Sequence, residues 1–167
     1  MQIRRRFLLA AALPLAAVGC GFKLREAPDF AFKEIVIGAG SGSPLGNELR
    51  RSFAADGKVA VVVDPTKMLA ADVILFIDQE QREKVVVGLN ASGQVREFQL
   101  RTRVKFRVAT PKGKELIAQT ELLQQRDISF NESAVLSKEA EEGLLYRDMQ
   151  SDIVQQLMRR LAAIKSL

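Results

Sequence analysis

The hydrophobic positions of this chain change period along its length, and the changes mark its elements. Phe32 to Gly38 is rich in β-branched residues and stops at glycines, which predicts a first strand. The glycine-rich stretch Gly38–Ser43 is then a loop. Ser43 can cap a helix that opens on Pro44, because its hydroxyl accepts from free first-turn amides and proline has no donor to leave unpaired. Leu45, Leu49 and Phe53 recur every four residues and give that helix one apolar stripe, which ends at Asp56-Gly57. Val59 to Val63 is a short strand closed by Asp64-Pro65.

A longer strand opens at Val73, turns polar through "DQEQREK" and recovers at Val85 to Val87. Asn90-Ala91-Ser92-Gly93 is a turn, and Gln94 to Ala109 returns antiparallel with a strict alternation. Phe98, Leu100, Val104, Phe106 and Val108 face one side, and Gln99, Arg101, Arg103, Lys105 and Arg107 face the other. Pro111-Lys112-Gly113 makes the next turn, and Glu115 to Asp127 supplies the last strand. From about Val135 to Ile164 the period is helical: Leu145, Met149, Ile153, Leu157 and Leu161 form one stripe, widened by Val154, Met158 and Ile164. Glu139, Glu141 and Glu142 are read as its first turn, and Arg159, Arg160 and Lys165 fall at its end, an order that suits the helix dipole. Two helices packed on one face of a small, mostly antiparallel sheet bury these stripes, an α+β fold in two layers.

The start of the chain has a different character. Arg4 to Arg6 lead an apolar run from Phe7 to Val18 that is about 12 residues long, short of the roughly 20 a membrane-spanning helix needs. With Gly19 before Cys20 this is the layout of an export signal over residues 1–19, followed by a single domain over 20–167. A small residue directly before a cysteine there is also the layout of a bacterial lipoprotein signal, in which Cys20 is lipidated. The alternative is an ordinary signal with an incidental thiol. Ala17 stands where such signals usually carry Leu, and "RRRFL" leaves the general and twin-arginine routes both open. Gly21 after the cysteine, in place of an inner-membrane retention Asp, fits outer-membrane sorting.

Charge then reads differently. Of the formal +5, three charges are signal arginines, so residues 20–167 carry +2, which gives no footing for nucleic-acid binding. The chain has no His, no Trp and one Cys, so neither an imidazole base nor a disulfide framework is available. No local signature supports a Ser/Lys or paired-carboxylate enzyme. Gly38, Gly40 and Gly42 miss the G-x-G-x-x-G spacing of a nucleotide loop. No catalytic residue, cofactor or metal site is expected. The remaining candidate is the stripe Arg101, Arg103, Lys105 and Arg107, about 20 Å long. It is either a solvated face pairing with Glu115 and Glu121 or a surface for lipid head groups or an acidic partner.

Three stretches in order, "CGFKLR", "VREFQLRTRVKFRV" and "VLSKEAEEGLLYRDMQSDIVQQLMRRL", resemble the LptE family of outer-membrane lipopolysaccharide-assembly lipoproteins. The resemblance covers nearly all of residues 20–167. It implies two helices on a four-stranded sheet and a lipid anchor on the periplasmic side of the outer membrane. It also implies a heterodimer in which the chain plugs the LptD β-barrel, helps it assemble, and delivers lipopolysaccharide to the cell surface. Lipopolysaccharide contacts in the family lie near the hairpin tip and the start of the last helix. Lys138 matches the second position; at the uncharged tip Arg96 is the nearest cation. A different reading is an accessory lipoprotein of an ABC-type envelope lipid transporter, and a more distant one an anchored hydrolase.

Overall fold

The structure is a computed structural model that describes residues 28–40 and 42–167. Its elements run β1 (Glu34–Gly38), α1 (Pro44–Asp56), β2 (Ala60–Val62), a 3-10 turn (Pro65–Ala70), β3 (Val73–Leu89), β4 (Val95–Ala109) and β5 (Glu115–Ser129). A short 3-10 turn (Glu132–Ala134) then leads into α2 (Val135–Ala162).

The sheet has five strands in the order β2-β1-β3-β4-β5, and it is mixed. This corrects the four-stranded, mostly antiparallel expectation. β1 is parallel to both β2 and β3, while β3, β4 and β5 form an antiparallel meander. The parallel part follows from the connections. After β1 the chain climbs away through α1, and after β2 it crosses back through the 3-10 turn, so each new strand starts at the same end as the last. One side of β1 is covered by the main core through Ile35 and Ile37, and the other by Val36 packing with Met68 and Ala71. A strand covered on both faces is apolar without alternation, as its sequence EIVIG is.

α1 forms as its sequence implies. Ser43 Oγ accepts from Gly46 N at 2.9 Å, Gly57 takes φ +70° and its N–H reaches Phe53 O, and Leu45, Leu49 and Phe53 are buried. At the hairpin tip Asn90 Oδ1 accepts from Ser92 N and Gln94 N, a local bond that sets the turn before Gly93 at φ +78°. α2 begins at Val135, so Glu139, Glu141 and Glu142 lie beyond its first turn, which holds no acid. The start signal is instead Asn131, whose Oδ1 accepts from Ser133 N and caps the 3-10 turn that leads in.

Both helices cover the same sheet face. The main core joins Ile35, Leu49, Phe53, Phe106, Ile153 and Leu157, while a smaller cluster of Leu100, Ile128 and Met149 lies toward the hairpin tip. A polar seam runs between them. Arg82 donates to Gln150 at 2.7 Å, Gln150 donates to Glu48 at 2.5 Å, Arg126 holds Asp152 at 2.8 Å, and the Oγ1 of buried Thr102 is without a partner. Beyond the seam no residue of α2 before Met149 is fully buried, so the tip half of the molecule is the less consolidated half.

Candidate functional site: two cationic surfaces

Cys20 lies outside the described residues. The other candidates fall on two separate surfaces.

The strand stripe is placed as the alternation requires, on the sheet face away from the helices, while Leu100, Val104, Phe106 and Val108 are buried on the helix side. Two of its four cations have carboxylate partners. Arg103 pairs with Glu121 and lies 4.0 Å from Glu83. Arg107 is 3.7 Å from Asp78 and stacks 3.8 Å above the Phe76 ring. Arg101 donates to Gln99 at 2.8 Å. Lys105 stands opposite Gln79 and Glu121 in register but makes no ion pair among the described residues. Glu121 is therefore a partner as expected; Glu115 is not, because it pairs in register with Ala109 at the far end of the strand. Exposed pairs of this kind contribute about 1 kcal/mol or less each, so they keep the face solvated more than they hold the fold.

The second surface is where the hairpin tip meets the start of α2. Lys138, in the first turn of α2, donates to Ser129 Oγ at 3.0 Å and lies 2.8 Å from Glu141. With Lys84 it lines a small cavity of about 60 Å³ whose walls include Phe98, Ile128, Phe130 and Val135. Lys84 Nζ is 2.6 Å from Glu142 and 4.4 Å from the centre of the Phe98 ring. Arg96 lines an adjoining hollow of about 290 Å³ with Gln94 and Asn131–Ser133, and its carbonyl accepts from Phe130 N at 2.7 Å. The fold thus brings Arg96 and Lys138 to one end of the molecule. Exposed apolar side chains share that end: Val86, Leu89 and Leu136, the last 83% exposed.

Sequence reasoning missed Lys84. It lies in the polar run "DQEQREK", which hides which face each residue takes; the signal was its cross-strand position opposite Leu100, a core-face residue. Tyr146 was missed because its partner is a backbone group, which no side-chain pattern signals. Burial, and after it the Glu142 carboxylate, push the Tyr146 phenol above its ordinary value despite nearby Arg82. Kept protonated, it donates to the Glu83 carbonyl at 2.7 Å and fastens α2 to β3.

Chemically, cations beside exposed apolar side chains suit an anionic group carried on a hydrocarbon body. Among the described residues no group of three or more His, Cys, Asp or Glu is placed to hold a metal ion.

Residues 28–161 match the model of the family LptE, described as lipopolysaccharide-assembly. The chain is similar to a Yersinia enterocolitica protein named LPS-assembly lipoprotein LptE, 26% identical over 167 residues, covering 98% of this chain and 78% of that one. Its fold is similar to the solution NMR structure of a lipoprotein B from Nitrosomonas europaea, with a TM-score of 0.73 and 35% identity over 86% of this chain and 91% of that one. The crystal structure of the rare lipoprotein B from Shewanella oneidensis shares the fold alone, with a TM-score of 0.65 at 21% identity over 78% of this chain and 95% of that one.

Proposed function

The chain belongs to the LptE family of lipopolysaccharide-assembly proteins, and from that membership we propose that it is the lipid-anchored partner of the LptD β-barrel. Its general role is that of an outer-membrane lipoprotein in lipopolysaccharide assembly, and its family is not one of enzymes. The finer reading is a mature domain of residues 20–167, lipidated at Cys20, that plugs the barrel from the periplasmic side and contacts lipopolysaccharide with its cationic tip. The observation that carries it is the extent of the family match, which takes in every strand, all of α1 and all but the last residue of α2. The experiment is purification of the tagged chain from detergent-solubilised envelopes. A co-purifying LptD barrel supports the reading. Recovery of periplasmic transport components without a barrel would move the chain to the accessory-lipoprotein class.

The two cationic surfaces separate by mutation. Lys138→Asp removes the cation from the cavity it shares with Lys84 and adds a further carboxylate beside Glu139, Glu141 and Glu142. Capture of lipopolysaccharide is expected to fall several-fold, more so at low salt, because exposed charges are screened over about 10 Å at 0.1 M. Circular dichroism should be unchanged, since surface substitutions usually shift stability by less than about 0.5 kcal/mol. Arg101→Glu with Arg103→Glu is expected to affect capture less, because these side chains lie on the sheet face away from the helices and not among the exposed apolar side chains of the tip. Should both variants capture lipopolysaccharide normally yet fail to retain LptD, both surfaces belong to the protein interface.

A further inference from the structure

The two halves of the 28-residue α2 are held differently, since every buried residue of the helix lies from Met149 onward. The half before it, Val135–Asp148, is fastened to the sheet mostly by polar bonds: Lys138 to Ser129, Lys84 to Glu142, and the Tyr146 hydroxyl to the Glu83 carbonyl. Its apolar contact is the small tip cluster, where Leu145 and Tyr146 pack with Phe98, Leu100 and Ile128. The polar seam separates that cluster from the main core, so this half can part from the sheet without opening the rest.

The helix is also loosened from within. Ala134 at its N-cap gives the first-turn amides no side-chain acceptor. Gly143 sits inside the helix, its φ is not in the left-handed region, and a Cβ there would meet nothing within 4 Å. Neither close packing nor an unusual backbone requires glycine at this position, and glycine weakens a helix relative to alanine. Once off the sheet, a helical segment as short as Val135–Asp148 is marginal in water.

Opening would uncover a surface of defined chemistry. The closed cavity under the start of α2, about 60 Å³, is far below the roughly 300–1,000 Å³ of sites that enclose a small molecule. Lifting the helix joins it to the apolar side chains of Phe98, Leu100 and Ile128. Lys84, which stays on β3, loses Glu142 in the same movement, so an unpaired cation appears at the rim of a hydrocarbon wall. We infer that the first half of α2 is a hinged arm, loosened at Gly143, and that the site beneath it takes an acyl chain of an anionic lipid, with Lys84 holding the head-group charge. This rests on the reading of the tip as a lipopolysaccharide contact and adds where the hydrocarbon goes, under the helix and not on its surface. A lipid matches both the charge and the apolar wall; a free phosphate matches the first alone.

The mature chain carrying Cys20→Ser, and so without acyl groups of its own, tests this with monomeric dodecyl phosphate as the probe. Amide hydrogen exchange read by mass should be about tenfold or more faster in peptides from Val135–Asp148 than in those from Met149–Ala162. Gly143→Ala, whose new methyl touches nothing, should slow exchange in the arm about two- to fivefold. Tyr146→Phe, which loses the bond to Glu83, should speed it about two- to tenfold. Apparent affinity scales with the open fraction, so dodecyl phosphate should bind more weakly by the first factor and more tightly by the second. Inorganic phosphate at the same concentration should leave exchange in the arm unchanged. An arm that exchanges as slowly as the rest of α2 would overturn the hinge, and an equal response to inorganic phosphate would overturn the acyl site. Binding of dodecyl phosphate that ignores both substitutions would also overturn the acyl site, while leaving the tip as a surface contact for lipid. If no variant binds dodecyl phosphate or lipopolysaccharide, the lipopolysaccharide reading of the tip falls together with the acyl site.

Discussion

Replacing Leu157 with Asp is expected to unfold the domain or leave it barely stable. Leu157 is fully buried on the face of α2 that meets the sheet, in the cluster with Phe106, Val104 and Ile153. The substitution removes a buried side chain, worth about 2–5 kcal/mol even when Ala replaces Leu. It also strands a carboxylate where the surroundings are apolar, which adds further cost. Against a total stability of about 5–15 kcal/mol, a loss of this size is a large fraction. At about 2–4 °C per kcal/mol for a domain of this length, the melting temperature should fall by at least roughly 10 °C. Leu144→Asp is the matched control, since Leu144 lies on the same helix but is 53% exposed, and it should melt within a few degrees of wild type. A Leu157→Asp protein that melts as the wild type does would mean that α2 packs through another face.

That prediction was available from periodicity, and the contrast with what was not is instructive. Stripes on α1 and α2 and the alternation of β4 were legible because each element buries one face only, so burial imprints its period on the residues. β1 and β2 could be recognised as strands but not placed. Parallel pairing is decided by where the chain returns, through α1 and the 3-10 turn, and no local pattern encodes that return. The family resemblance counted four strands, and the three-residue β2 at the sheet edge makes the fifth. The tip surface was half legible. Lys138 and Arg96 stood out as cations at expected stations, but Lys84 became a neighbour of Lys138 only through the register that sets it opposite Leu100. The polar seam was illegible for a related reason: Arg82, Gln150 and Glu48 are far apart in sequence, and each alone reads as an ordinary surface residue.

Cys20→Ser is expected to remove the protein's own hold on the membrane, leaving the barrel of the proposed complex as what retains it there. Each buried methylene of an acyl chain contributes about 0.8 kcal/mol, so one chain gives only marginal, reversible binding while two or more hold a protein essentially permanently. No helix among the described residues is long and apolar enough to cross a membrane in its place. Metabolic labelling with palmitate should therefore mark the wild type and not the variant, and in cells depleted of LptD fractionation should move the variant from the envelope pellet to the soluble periplasm. The folded domain does not need the cysteine, so circular dichroism and the melting temperature should stay the same. Lipopolysaccharide capture by the purified variant should also persist, since Lys138, Lys84 and Arg96 lie at the opposite pole from Pro28, where the segment carrying Cys20 joins the domain. Loss of assembly function in cells with capture intact in solution would then assign the lipid to placement and the tip to recognition. A Cys20→Ser protein that still takes up palmitate and stays in the envelope would instead show that the lipid-anchor reading of this cysteine is wrong.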